Sequence, residues 1–282
     1  MTTQDHTIRK IALTTDLGAD SPDLFAQALG IALRTRAELF LVHIAEPDHP
    51  EASWRRLPTV RALLERWGRI SVGAPYEEFE KLGIKVHTLE RRATDGDLRI
   101  AVARRVSEIH PDLVILGTHA RTGVDRLARG SVAEPVARDV HKSTLFLPGD
   151  ARPFVSPETG ELSLKRVLVP VGPGVTGEPL MAELERVLTS LGAGAVQFVI
   201  VHVGTFASLP DLRTPPRQDW MWKTDLRSGN VVDQILEAEI EHEADLVVMA
   251  TLGHDSFLDA MWGSTMERVV RRTRVPVLAV PV

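Results

Sequence analysis

The residues whose types and spacing could do chemistry gather first in "GTHARTGVDRLARGS", residues 117–131. The stretch follows the apolar run "DLVILG", so Gly117 stands at the carboxyl end of an expected strand. Open parallel sheets place their ligands there. Gly123 and Gly130 permit a close approach of ligand to backbone. Gly130-Ser131 opens a helical segment whose free N–H groups and dipole favour an anion, and the Ser131 hydroxyl adds a donor. Arg121, Arg126 and Arg129 could steer phosphates. The same residues also suit an ordinary capped turn. Ser131 and Glu134 form S-x-x-E, a capping box that Ser264 and Glu267 repeat, and the arginines fit the wet side of a short helix.

Other patterns carry less. "GPGVTG" (172–177) matches G-x-G-x-x-G between a strand and a helix. The next strand, "VIVHVGTF", lacks the acidic residue that a dinucleotide ribose would need. No G-x-x-x-x-G-K-(S/T) occurs, which disfavours a P-loop enzyme, and no G-x-S-x-G supports a serine hydrolase. His43 and His202 occupy matching strand positions without further ligands at metal spacing, so they read as sheet residues with satisfied ring nitrogens. Trp220 and Trp222, two apart, put both rings on one face of an extended segment, best used in packing.

The elements that must position these residues repeat. "KIALTTD", helical "SPDLFAQALGIALRTR" and "ELFLVHIAEP" in the first half match "KRVLVPVG", "EPLMAELERVLTSLG" and "VQFVIVHVG" in the second. "GDLRIAVARRVSEIHPDLVILGTHA" pairs with "GNVVDQILEAEIEHEADLVVMATLG", and "GSVAEPVARDVHKSTLFLP" with "GSTMERVVRRTRVPVLAVP". Short apolar runs alternating with helical segments predict parallel sheets with crossover helices, βαβ(α)βαβαβ in each half. The first half fills residues 52–83 with a largely helical stretch. The second has a Pro- and Trp-rich segment there, and Pro215-Pro216 argues against a helix. Residues 1–148 read as one domain, 149–163 as a Gly/Pro/Ser linker and 164–282 as a second, shorter domain.

With these elements in place the chain resembles the universal stress proteins. Gly117-Thr-His-Ala120, nine residues, then Gly130-Ser131 is similar to that family's nucleotide signature, G-x2-G-x9-G-(S/T). The likeness covers nearly the whole chain twice, the linker excepted. It implies an α/β fold of two tandem, open, mostly parallel five-stranded sheets flanked by helices, Rossmann-like in plan. It further implies ATP, with Mg²⁺, as ligand of the first domain. Asp16, at the end of strand one, would contact the nucleoside. Ile44, after the strand-two histidine, would lie near the adenine. Gly117, Ala120, Gly130, Ser131 and Val132 would hold the phosphates. Ala120 departs from the pattern, which wants Gly. The second half departs further: Gly172 replaces the Asp, Ala250 the first loop Gly, and "HDSFLDAMW" brings two acidic residues and no Arg or Lys. It should bind ATP weakly or not at all. Family domains pair through their last strands, so "STLFLP" and "VPVLAVPV" are expected to pair within this chain, and two chains could associate further as a homodimer.

Bulk properties narrow the classes. The chain has 282 residues, 44% hydrophobic and 25% charged, with net charge −5, the composition of a globular protein with two cores. Without a basic field a nucleic-acid partner is not favoured. There is no cysteine, hence no disulfide or thiolate site. No apolar run approaches the roughly 20 residues of a membrane helix and "MTTQDHTIRK" is unlike a signal peptide, so a cytoplasmic location is expected. No catalytic constellation is visible, so the expectation is nucleotide-dependent stress signalling rather than an enzyme, with any hydrolysis slow or partner-dependent. The alternative is a module that binds a non-nucleotide ligand or a protein, its ATP loops degenerate.

Overall fold

The computed structural model describes residues 7–45, 53–92, 98–118, 140–175, 177–251 and 259–282. By internal contacts the chain forms two units, Met1–Lys142 with Val155–Leu162, and Ser143–Phe154 with Ser163–Val282.

The first unit runs β1 (Lys10–Thr14), α1 (Ser21–Thr35), β2 (Glu38–Ala45), a 3-10 turn (Trp54–Arg56), α2 (Val60–Arg66), α3 (Tyr76–Lys81), β3 (Val86–Arg92), α4 (Leu98–Ile109) and β4 (Leu113–Thr118). Its strands lie in the order β3-β2-β1-β4, all parallel. β1 is central, so Ile11, Ala12 and Leu13 are buried on both faces, as continuous apolar runs in parallel sheets require. α1 carries Pro22 in its first turn and ends on Arg36 in the left-handed region, where a C-cap commonly stops a helix. It buries Leu24, Phe25, Leu29 and Ile31, each contributing about 1.5–3 kcal/mol. The residues read as helix between β2 and β3 make the 3-10 turn and two short helices.

The second unit runs β5 (Thr144–Pro148), β6 (Arg166–Pro170), α5 (Gly177–Ser190), β7 (Val196–Val203), a 3-10 turn (Phe206–Ser208), β8 (Trp220–Arg227), α6 (Val231–Glu241), β9 (Leu246–Thr251), α7 (Asp259–Arg272) and β10 (Val277–Pro281). The strand order is β5-β10-β9-β6-β7-β8. All pairs are parallel except β10 with β5, where Leu278 lies opposite Leu145. The two last strands of the sequence repeats therefore do pair. β5 counts with the second unit, so among the described residues the units carry four and six strands.

The duplication is visible in matching side chains. Asp112, just before β4, accepts the backbone N–H groups of Arg9 and Lys10 at 2.8 and 3.0 Å. Asp245, just before β9, accepts those of Lys165 and Arg166 at 2.9 and 2.8 Å. Each carboxylate thus ties the start of one central strand to the start of its neighbour.

Two local expectations change and one holds. Ser264 stands inside α7 rather than before it, because "DAMWG" holds no breaker stronger than Gly263, which costs a helix only about 1 kcal/mol; it is not an N-cap. The segment read as linker is packed: Phe154 and Val155 are buried, and Trp67 Nε1 donates to the Pro157 carbonyl at 3.0 Å. The Pro- and Trp-rich insert ends in β8, where, as expected, both tryptophans pack on Phe198: Trp222 stacks on it with centroids 4.1 Å apart and Trp220 lies tilted at 4.8 Å.

Candidate functional site

In the first unit the chain turns from β1 toward β2 and β3 on one side and toward β4 on the other. The carboxyl ends of β1 and β4 therefore flank a topological switch point, the place where open α/β sheets form ligand crevices. Asp16 follows β1 and Gly117 is the penultimate residue of β4. Thr14 is in register with Val42 and with Leu116, so continuing the register aligns Asp16 with Ile44 and Thr118. Three sequence-selected residues, Asp16, Ile44 and Gly117, thus meet at one edge. Ala120, Gly130, Ser131 and Val132 lie outside the described residues, as do His119, Arg121, Arg126, Arg129 and His254.

A short network shapes the turn after β1. Leu17 is buried with φ 57°, an unusual conformation for a bulky residue, of the kind that persists where its surroundings over-determine it. Its N–H donates to Thr15 Oγ1 at 3.0 Å, and Thr15 Oγ1 lies 2.9 Å from Ser21 Oγ. Asp16 Oδ1 accepts the Gly18 N–H at 2.8 Å and the Ser21 hydroxyl at 3.2 Å. The result presents an exposed carboxylate beside the first turn of α1. Such a group can accept hydroxyl donors from a sugar, while buried Ile44 supplies an apolar surface one strand away. The described part of the site fits a nucleoside.

The segment between β2 and β3 adds groups the sequence reading passed over. The Trp54 ring meets His43 edge-on at 5.9 Å and its Nε1 donates to Glu90 Oε2 at 2.8 Å. Arg56 reaches the Leu17 carbonyl at 3.4 Å. An aromatic and two basic residues in "WRR" were the available signal, but only the fold brings them back over β1 and β2.

His43 Nδ1 lies 2.9 Å from the Thr15 carbonyl, and His202 Nδ1 3.0 Å from the Val171 carbonyl. A carbonyl only accepts, so both rings carry hydrogen on Nδ1. The two rings differ at Nε2. That of His202 meets Ser208 Oγ at 2.8 Å; that of His43 is buried with no hydrogen-bond partner among the described residues. The expectation of satisfied nitrogens holds for His202 alone. No cluster of three or more metal-ligating side chains occurs among the described residues.

The second unit has the same switch point between β6 and β9, with Gly172 after β6 and Ala250 in β9. A Cβ at Gly172 would meet nothing within 4 Å, so space does not explain the absence of a carboxylate there. In "GPGVTG", Gly177 lies so close to the Asp211 carbonyl that a Cβ would stand 2.7 Å from it. That glycine serves packing of the later Pro- and Trp-rich insert.

The fold and site define a doubly wound α/β protein with its crevice at the carboxyl edge of the sheet. The universal stress protein family model matches residues 7–148 and 219–281, and the chain belongs to that family. A universal stress protein of Methanocaldococcus jannaschii is 25% identical over 148 residues, covering 51% of this chain and 84% of that one. The crystal structure of a universal stress protein from Archaeoglobus fulgidus superposes with TM-score 0.64 at 18% identity, over 98% of this chain and 97% of that chain. A functionally unknown protein from Pseudomonas aeruginosa gives 0.60 at 15%, over 98% and 93%. These likenesses establish the α/β fold with its mostly parallel sheet. Among the described residues no helix is long and apolar enough to cross a membrane.

Proposed function

We propose that the first unit binds an adenine nucleotide, ATP with Mg²⁺, at the carboxyl ends of β1, β2 and β4. Its occupancy would serve stress signalling in the cytoplasm rather than dedicated catalysis. The observation that carries the reading is the exposed Asp16 carboxylate at the switch point, in line with Ile44 and next to the β4 end that leads into the glycine signature. Asp16 and Ile44 would hold the nucleoside. Gly117, Ala120, Gly130, Ser131 and Val132 would hold the phosphates, with Mg²⁺ supplying further charge neutralisation when bound. Gly172 deprives the second unit of the matching carboxylate, so one nucleotide per chain is expected.

Calorimetry with MgATP tests this on the wild type, Asp16→Asn and Gly130→Val. Asparagine keeps an acceptor for the Gly18 N–H but loses the charge, so affinity should fall about 5- to 20-fold, near 1–2 kcal/mol. Valine should abolish the heat. No heat from the wild type with ATP, ADP or AMP would reject the reading in favour of a protein-interaction module.

A further inference from the structure

β8 ends the strand order of the second unit and pairs only with β7 among the described residues. Val196 and Gly204 donate their N–H groups to the carbonyls of Asp219 and Arg227. Backbone groups alternate sides along a strand, so the odd-numbered residues of β8 face β7. The N–H and C=O groups of Trp222, Thr224 and Leu226 therefore point away from the sheet. An eight-residue edge of this kind is a template for another strand. It also exposes apolar surface, with Met221 65% and Leu226 44% accessible.

We infer that this edge pairs antiparallel with β8 of a second copy of the chain, about a two-fold axis at Thr224, giving a symmetric dimer. The sequence of β8, "WMWKTDLR", carries the argument because it is complementary to itself in that register. Lys223 falls opposite Asp225, twice by symmetry. Trp222 falls opposite Leu226, Met221 opposite the stem of Arg227, and Thr224 opposite Thr224. Opposite charges, an aromatic with an aliphatic and a threonine pair are all favourable cross-strand neighbours. An isologous interface needs such self-complementarity. The hydrogen bonding agrees: Trp222, Thr224 and Leu226, whose groups point outward, become the hydrogen-bonded positions. Lys223 and Asp225 take the non-hydrogen-bonded positions, where side chains approach most closely.

Charge or strand length excludes the neighbouring registers. An axis at Lys223 sets two lysines together. One at Asp225 sets two aspartates together and Lys223 against Arg227. One at Trp222 brings Asp219 against Asp225. One at Leu226 pairs Asp225 with Arg227 but leaves only Asp225–Arg227 of β8 in register. The other sheet-end strand, β3, has no such pattern: about Thr88 it sets Val86 against Glu90 and His87 against Leu89, with no opposite charges paired. Asp225 is already held in place by His242 Nε2 at 2.7 Å and Arg227 Nε at 2.9 Å. Lys223 stands on the same face, with Nζ 3.3 Å from His242 Nδ1.

Sedimentation equilibrium on the full chain tests the interface without reference to nucleotide. The wild type should approach twice its 31.1 kDa with rising concentration. Thr224→Pro removes an N–H that β7 does not use, which an edge strand tolerates. With circular dichroism unchanged, it should weaken self-association by about 100-fold or more. Lys223→Glu and Asp225→Lys should each stay monomeric alone, and their equimolar mixture should dimerise, since mixing restores both opposite-charge pairs. A wild type that stays at 31.1 kDa up to about 100 μM, below the range of a specific interface, overturns the inference. So does a dimer that survives Thr224→Pro, or a mixture that fails to rescue.

Discussion

His202 Nε2 and Ser208 Oγ lie 2.8 Å apart, and the equivalent nitrogen of His43 is buried without such a partner among the described residues. The two histidines share a strand position and an Nδ1 bond, yet they should differ in what they contribute. His202→Leu removes both ring bonds, to the Val171 carbonyl and to Ser208 Oγ, a cost of about 1–3 kcal/mol, while Ser208 Oγ keeps its bonds to the Thr205 backbone. His43→Leu strands the Thr15 carbonyl but also removes a buried nitrogen with no hydrogen-bond partner among the described residues, so it should cost clearly less. Denaturation midpoints of the two variants measured side by side decide the matter. Equal losses would mean that His43 Nε2 has a partner in solution.

Gly160 should tolerate no side chain. Its φ is +67°, and a Cβ there would stand 2.8 Å from the Trp67 ring, whose Nε1 bonds the Pro157 carbonyl. Backbone strain and overpacking together should make Gly160→Ala cost about 2 kcal/mol or more. The variant should also become sensitive to limited proteolysis between residues 155 and 162, a segment whose Glu161 otherwise pairs with Arg69 at 2.8 Å. Unchanged cleavage would mean that the Trp67 contact does not anchor the segment.

Asp225 carries a pH dependence. Burial opposes its charged form, but hydrogen bonds from His242 and Arg227 and the nearby positive charge outweigh that and hold its pKa below the ordinary value. A carboxyl depressed on folding contributes fully above its unfolded pKa, near 3.9, and loses that contribution as pH falls through the lower folded value. Asp225→Asn should therefore cost about 1 kcal/mol at pH 7, and the gap should begin to narrow as pH falls below about 3.9. Paired thermal melts at low protein concentration and fixed ionic strength measure it. A gap that stays constant as pH falls through the acid range would place the effect in packing instead.

Much of this was legible in the sequence because parallel strands buried on both faces must be apolar throughout. "KIALT", "ELFLVHIA", "LVILGT" and their repeats each announce one. The end of β1 was legible too, since Asp16 follows directly on a run whose end is unmistakable. What escaped depends on distant partners. Trp54 and Arg56 sit in a segment with helical composition, and only the return of the chain over β2 makes them neighbours of His43 and Leu17. Residues 149–163 lack periodicity because they lie against the body as a short loop closed by the Val155–Leu162 bridge; an irregular segment can be buried without any repeat to betray it. The start of α7 escaped because a capping-box pattern also arises by chance inside a helix that began earlier.

The pairing of β5 with β10 bears on how the protein is made. A ribosome delivers Thr144–Pro148 well before Val277–Pro281, with four further strands of the second unit emerging between them. Until β10 leaves the exit tunnel, the fully buried "TLFLP" lacks the neighbour that lies alongside it in the finished chain. The interval is set by translation speed and not by the intrinsic rate of sheet formation. Slower translation across α5 to α7 would lengthen the time for which residues 144–148 wait for that neighbour.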